Sequence, residues 1–308
     1  MTKGPIKNMA ASVRQRLMNI SKATNRRFID VLQHYALERW LFRLSQSNYC
    51  DQCFLKGALL FVVWKTPATR PTRDIDLLAR MNNDLEFVRK VVAEICDVSV
   101  DDDGLIFDSA SVATEQIAED AVYEGVRARF QGKLGNARIA MQVDIGFSDV
   151  VTPAPARISY PTMLDQPTAE LLAYNRETAI AEKFEAMVQL GELNSRMKDF
   201  FDIALLAESF EFEGNTLAKA IRATFDRRGT AIQSDPICFS DQFAHDPTKA
   251  AQWRAFMQRS QISESFSEFP VVVHQVRDFL RPLAAQMIDG HQSNWRWPVG
   301  GPWQDGEG

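Results

Sequence analysis

Asp74-Ile75-Asp76 opens an apolar run that continues through Leu77, Leu78 and Ala79, and residues 75–79 read as a buried strand. In a strand, residues i and i+2 point to the same face. Both carboxylates therefore project together while Ile75 and Leu77 face the other side. Adjacent carboxylates repel, and a divalent cation relieves that repulsion. Mg²⁺ suits the position because it is a hard ion held by one or two carboxylates plus substrate phosphates, and Mn²⁺ accepts similar oxygen ligands. An isolated pair of this kind is as readily two solvated acids at a strand edge. Two further features bear on the choice. Asp144 lies in Met141-Gln142-Val143-Asp144-Ile145-Gly146, opposite in phase to Met141, Val143 and Ile145. If that strand neighbours residues 75–79, three carboxylates converge. Such a trio can hold two metals about 4 Å apart across a phosphoryl displacement, and the third acid can help deprotonate an attacking hydroxyl. Upstream, Lys56-Gly57-Ala58 places a glycine where a strand, Cys53 to Lys56, turns into an apolar helix, Ala58 to Trp64. A glycine there lets backbone N–H groups approach a phosphate at a helix N-terminus, although such a glycine also serves as a plain turn.

A second set of residues falls on helices. With residues 179–190 helical, Ile180, Phe184, Met187, Val188 and Leu190 share an apolar arc, and Lys183 falls inside it. A buried lysine is uncommon unless paired. It either snorkels to solvent or meets an anion, which means a carboxylate or a triphosphate. The next helix, residues 197–208, is apolar in most directions except for a stripe of Lys198, Asp199 and Asp202. Lys198 and Asp202 can pair at i,i+4, and Lys183 can equally pair with Asp199 or Asp202 from the neighbouring helix.

These residues need a scaffold. The spacing predicts a helix over 26–44 and another over 83–96, with strands at 122–130 and 139–147. Residues 65–73, with Pro67 and Pro71, form a loop. Pro153 to Pro167 reads as a proline-rich connection and a domain boundary. Beyond it the pattern turns helical at 177–190, 197–210 and 216–225. The first half is thus a mixed α/β unit, a small mixed sheet with helices on one face, and the second half is mainly helical.

Composition excludes several classes. The chain has 308 residues, is 45% hydrophobic and 24% charged, and carries a net charge of −5. No apolar run approaches the roughly 20 residues of a membrane helix. Lys3, Lys7, Arg14 and Arg16 are followed by no apolar core, so residues 1–16 do not read as a signal peptide, and a cytoplasmic location is expected. Four cysteines give no disulfide framework. Cys50 and Cys53 form a CxxC pair without a second pair or a nearby histidine pair, which points to reduced thiols rather than zinc. The four histidines, His34, His245, His274 and His291, are scattered, which argues against a histidine metal site.

Leu55-Lys56-Gly57-Ala58 followed by Arg73-Asp74-Ile75-Asp76-Leu77 resembles the first motif of the DNA-polymerase-β-like nucleotidyltransferases. Ala179-Ile180-Ala181-Glu182-Lys183-Phe184-Glu185-Ala186 resembles the second motif of the AbiEii/AbiGii toxin family, which includes the MenT-like toxins. Arg196-Met197-Lys198-Asp199-Phe200-Phe201-Asp202 resembles its third, RxKDxxD. Thr224-Phe225-Asp226-Arg227-Arg228-Gly229-Thr230 and Trp253-Arg254-Ala255-Phe256 resemble the C-terminal half of one bacterial branch. The resemblance covers residues 12 to 282. It departs at Ala58, where the superfamily has glycine or serine, so a phosphate cradle here relies on the backbone N–H. The Gly57-to-Asp74 gap is also longer than in minimal members.

The resemblance implies an α+β fold, a small mixed β-sheet nucleotidyltransferase core with a mainly helical C-terminal half. Its expected layout is a flexible N-terminal segment 1–24, the core 25–160, a helical domain 161–288 completing the active site, and an irregular tail 289–308. It implies a Mg²⁺-dependent toxin of a bacterial toxin–antitoxin or phage-defence system, neutralised by a cognate antitoxin from the adjacent gene. The activity implied is transfer of a nucleotide from an NTP to an RNA acceptor, the tRNA 3′ end, to block translation. Asp74, Asp76 and Asp144 would bind metal, and Lys56, Gly57, Ala58, Arg73, Lys183, Arg196 and Lys198 the NTP. Asp199 or Asp202 would orient Lys183 or assist the acceptor. A basic rim of Arg70, Arg73, Arg196, Lys198, Arg227 and Arg228 would grip RNA phosphates, with Asp101-Asp102-Asp103 and residues 208–213 holding acidic excess elsewhere. The alternative is a small-molecule nucleotidyltransferase, for instance one modifying an aminoglycoside. That enzyme needs an acidic mouth, which the acidic balance permits. A non-catalytic NTP-binding module is disfavoured by the intact acid trio.

Overall fold

The computed structural model describes residues 8–67, 70–119, 123–260, 268–290 and 294–306. The chain forms two compact units. The first comprises Met1–Val63, Pro71–Ser148 and Ala156–Ala173, and the second Trp64–Arg70, Asp149–Pro155 and Tyr174–Gly308.

The first unit contains α1 (Met9–Thr24), α2 (Phe28–Ser45), β1 (Cys53–Lys56), α3 (Leu60–Val63), β2 (Asp74–Ala79), α4 (Leu85–Cys96), β3 (Leu105–Glu119), β4 (Tyr123–Leu134), β5 (Ala137–Gly146), β6 (Ala156–Tyr160) and β7 (Ala169–Ala173). The strands form one mixed sheet in the order β3-β4-β5-β2-β1-β7-β6. β2 and β5 run parallel, as do β1 and β7, and the remaining pairs are antiparallel. The alternation of β4 and β5 decides the faces. Val126, Ala128 and Phe130 with Ile139, Met141, Val143 and Ile145 are all buried, and Trp40 of α2 lies 6.0 Å from the Phe130 ring. α2 and α4 touch each other and both touch the sheet. They therefore share this apolar face, as expected, and leave the opposite face of β2 and β5 to Asp74, Asp76 and Asp144. The sheet is larger than expected because β3, β6 and β7 were not anticipated.

Three expectations are corrected. Residues 9–24 are a helix, not a flexible segment. Asn8 accepts a hydrogen bond from the Ala11 N–H at its start, and Val13 and Leu17, one turn apart, are completely buried. Two apolar residues in a polar stretch were enough to dock it, and residues 1–7 lie outside the described residues. The proline-rich connection contains β6, an edge strand bracketed by Pro153 and Pro161. Proline is compatible with an edge, where one side of the strand lacks a partner. Asp103, counted as surface acid, is 3% exposed and grips Arg43 at 2.7 Å and Arg39 at 3.3 Å. Ala68, Thr69 and Val122, within the expected loop and strand, lie outside the described residues.

The second unit contains α5 (Arg176–Leu190), α6 (Met197–Ser209), β8 (Phe212–Glu213), α7 (Gly214–Arg228), α8 (Asp241–Ala244), α9 (Pro247–Ser260), α10 (Phe269–Asp289), β9 (Trp295–Trp297) and β10 (Gln304–Asp305). α5 starts at Asn175, whose side chain accepts from the Thr178 N–H at 2.8 Å. Aromatic rings fill the helical core, Phe184 against Phe225 at 5.2 Å and Phe200 against Phe269 at 5.3 Å. The expected irregular tail is corrected as well. β9 pairs with β8 and β10, Trp303 stacks on Phe279 at 5.6 Å, and Trp297 Nε1 donates to the Ala207 carbonyl. Large aromatic surfaces of this kind repay the ordering of a short segment. Residues 291–293 (with His291) and 307–308 lie outside the described residues. Among the described residues no helix is long and apolar enough to cross a membrane.

Candidate active site

Strand register assembles the first cluster. β2 pairs in parallel with β5 so that Asp76 faces Asp144 and Asp74 faces Gln142. Directly opposed residues lie on one face with neighbouring side chains. Carboxylate oxygens of Asp74, Asp76 and Asp144 consequently lie within 4.8 Å of one another. The register continues outward on both sides: Lys56 of β1 opposes Asp76, and Arg127 of β4 opposes Asp144. One transverse row thus reads Lys56, Asp76, Asp144, Arg127. Arg127 donates through Nε at 2.8 Å and Nη2 at 2.7 Å, a bidentate grip on Asp144, and Gln142 adds a third donor at 3.2 Å. The hydrogen bond to Asp144 holds the Arg127 guanidinium above its ordinary pKa. The Thr72 hydroxyl donates to Asp74.

Gly57 completes this cluster from β1. Its φ is +75°, and a Cβ there would stand 2.8 Å from the Asp76 Cγ. Backbone angle and space both require glycine, so the loop lies directly against the Asp76 carboxylate. The helix expected over 58–64 is shorter, a 3-10 turn at Gly57–Leu59 followed by the four residues of α3. Ala58 is 7% exposed, so its side chain is packed inward and the turn beside Asp76 presents the Gly57–Ala58 backbone. Three converging carboxylates beside a space that a methyl group would fill suit a hard divalent cation.

The second cluster sits in the second unit. Lys183 Nζ donates to Asp199 Oδ1 at 2.9 Å and Asp202 Oδ2 at 2.8 Å. Both alternatives left open for Lys183 are therefore realised at once. Arg196 Nε donates to Asp199 at 2.6 Å, and Arg70 reaches Asp202 through two nitrogens at 3.3 Å. Lys198 is exposed, so the i,i+4 pairing with Asp202 gives way to Arg70 and Lys183. Burial alone would lower the Lys183 pKa, but Asp199 and Asp202 outweigh it and hold the ammonium above its usual range. Burial likewise opposes ionisation of the two acids. Lys183 and Arg196 around Asp199, and Arg70 and Lys183 around Asp202, nonetheless keep both carboxyls below the ordinary carboxylate range.

The expected basic rim is corrected in part. Arg228 is 6% exposed at its side chain and binds Asp149 at 3.0 Å and Glu185 at 2.7 Å. Arg70 and Arg196 serve the lysine network. Arg73 is exposed over 71% of its side chain, 3.9 Å from Asp30, and Lys198 and Arg227 are exposed. Arg127, Gln142, Thr72 and the aspartate-binding role of Arg70 were not anticipated. Arg127 had one signal in the sequence, because it lies out of phase with Val126, Ala128 and Phe130 on a predicted strand. Its partner was set by register alone.

A family model described as nucleotidyl transferase AbiEii toxin, type IV TA system, matches residues 39–272. No curated protein matches the chain. Among solved structures, a candidate nucleotidyltransferase from H. pylori is similar at 13% identity, with a TM-score of 0.49, over 85% of this chain and 97% of that one. JHP933 from Helicobacter pylori is similar at 15% identity, with a TM-score of 0.47, over 84% and 92%. The family match spans most of the chain and contains the carboxylate row and the lysine network whole. The chain belongs to the nucleotidyl transferase AbiEii toxin family of type IV toxin–antitoxin systems.

Proposed function

We propose that this nucleotidyltransferase is the toxin of its pair and moves a nucleotide from an NTP onto an RNA acceptor, the 3′ end of tRNA, so that translation stops. Its setting would be phage defence in the cytoplasm, with an antitoxin encoded by the adjacent gene as partner. The observation that carries the reading is the convergence of Asp74, Asp76 and Asp144 within 4.8 Å on the sheet face opposite the apolar one. Those three residues would hold Mg²⁺. The bound cation supplies neutralisation of phosphoryl charge.

The chain's own residues carry the rest. The acceptor 3′ oxygen forms a bond to the α-phosphorus, the bond from that phosphorus to the bridging oxygen breaks, and pyrophosphate leaves. Asp144 takes the hydroxyl proton, and Arg127 fixes the orientation of its carboxylate. The Gly57–Ala58 backbone N–H groups and Lys56 bind phosphate oxygens, and Arg73 approaches from the exposed entrance to β2. An ammonium has three donors. Two of those on Lys183 go to Asp199 and Asp202, which leaves a third to meet an NTP phosphate. Asp199 and Asp202 orient Lys183, and Arg196 and Lys198 add positive charge beside it.

The test is incubation of the purified chain with bulk tRNA and each of the four α-labelled NTPs. Label on tRNA from one or two NTPs, abolished by EDTA, is the expected outcome. Label that reaches an aminoglycoside and no RNA would refute the RNA acceptor.

A further inference from the structure

We propose that the exposed sheet face running away from the carboxylates along β4 and β5 is the track for the phosphodiester backbone of the acceptor RNA. The inference rests on the reading above for its substrate class and assigns the surface that holds it. On the face that carries Asp144, successive opposed pairs are Arg127 with Asp144, Arg129 with Gln142, Gln131 with Ala140, and Lys133 with Arg138. At about 3.3 Å per residue, the strip extends about 20 Å from the carboxylates. Lys133 and Arg138 are exposed, and Arg129 is exposed over 52% of its side chain, with Glu115 of β3 at 2.6 Å. At the other flank of the trio, Arg73 immediately precedes Asp74 and is 71% exposed.

Charge selects the occupant. The chain carries a net −5, yet Arg73, Arg129, Lys133 and Arg138 gather on this strip, with Glu115 of β3 paired to Arg129, Asp108 of β3 opposite Gln131, and Asp30 3.9 Å from Arg73. Gln131 and Gln142 add neutral polar groups. A helix packing here would want apolar residues, and these strands bury theirs on the opposite side. A flexible polyanion needs spaced cations and hydrogen-bonding groups on an open surface, and phosphate contacts of this kind position a strand without reading its sequence. The strip also replaces the expected rim, whose Arg70, Arg196 and Arg228 are committed to buried carboxylates.

The experiment compares the wild-type chain with R129Q/K133Q/R138Q by anisotropy of labelled bulk tRNA across a salt series. Each phosphate contact to a single strand contributes about 0.7 to the slope of log affinity against log salt. The triple variant should therefore lose about two from the slope and about tenfold or more in affinity. Binding of a fluorescent NTP analogue and the melting temperature should stay at wild-type values. Lys90→Gln, exposed on α4 at the opposite face of the sheet, should keep the wild-type slope. A triple variant that binds tRNA with unchanged slope overturns the proposal, as does one that keeps tRNA binding and loses only the antitoxin. Transfer assays separate the two levels. A wild-type chain that labels no RNA refutes the functional reading, whereas wild-type and triple variant labelling RNA equally refutes the track alone.

Discussion

The two ionic clusters are balanced in opposite senses. In the first unit three carboxylates converge with Lys56 and Arg127 as flanking cations. In the second, Lys183, Arg70 and Arg196 surround two carboxylates that are 0% and 1% exposed. Acids outnumber the named cations in the first cluster, and cations outnumber the acids in the second. Burial separates them further. Asp199 and Asp202 are closed off and must be neutralised within the fold, because a stranded buried charge costs several kcal/mol. Asp74 and Asp76 are half-buried, and Asp144, 8% exposed, is already gripped in bidentate fashion by Arg127. The first cluster therefore suits a divalent cation, and the second holds one ammonium charged and fixed.

The largest effect expected is on the first cluster. Asp74→Ala should lower nucleotide transfer about a thousandfold or more, since several kcal/mol of transition-state stabilisation go with the metal. Its melting temperature should not fall, because like charges are being removed. Transfer measured beside thermal unfolding checks both halves, and a variant that unfolds while the residual folded fraction stays active would reverse the comparison.

Lys183→Ala comes next. NTP affinity should drop at least tenfold, while the loss of stability stays below the roughly 3–5 kcal/mol of a stranded buried charge. Arg196 remains on Asp199 and Arg70 on Asp202. Collapse of the fold with unchanged NTP binding would make the lysine purely structural.

Gly57→Ala tests the contact between the loop and Asp76. Its φ of +75° alone should cost about 1 kcal/mol or more, and the collision with the carboxylate should reduce transfer more than stability. Equal transfer in this variant would remove the loop from the site.

The smallest effects are in pH dependence, and they differ in sign. The folded pKa values of Asp199 and Asp202 are depressed from 3.8. Their contribution is therefore present above about pH 4 and lost as pH falls through the folded values. Glu38, buried on α2, is pushed up from 4.5 to about 7 by desolvation. Its contribution is full below pH 4.5 and declines as pH rises through 7. Glu38→Gln should flatten that decline, read as melting temperature from pH 5 to 8, and leave the acid limb unchanged.

Much of the first cluster was legible because period two is a local rule. Asp74, Asp76 and Asp144 each lie out of phase with apolar neighbours on a predicted strand, and only the adjacency of β2 and β5 had to be supplied. Lys183 was visible for the converse reason, as a charge inside an apolar arc. The partners of Arg127 and Arg70 were not, because cross-strand register and the path of a loop are long-range properties that no spacing encodes. Arg228 shows the limit from the other side. Next to Arg227 in sequence it reads as surface charge, yet Asp149 and Glu185 bury it. The tail likewise looked irregular by its Gly and Pro content, whereas Trp297 and Trp303 find Phe279 only in three dimensions.

The most direct test of the carboxylate assignment is a Mn²⁺ titration followed by electron paramagnetic resonance, wild type beside Asp76→Asn. The account predicts saturable binding to the wild-type chain and at least about tenfold weaker binding to the variant, a loss of about 1.4 kcal/mol or more, with the fold intact by circular dichroism. Equal Mn²⁺ affinity in the two proteins would contradict it.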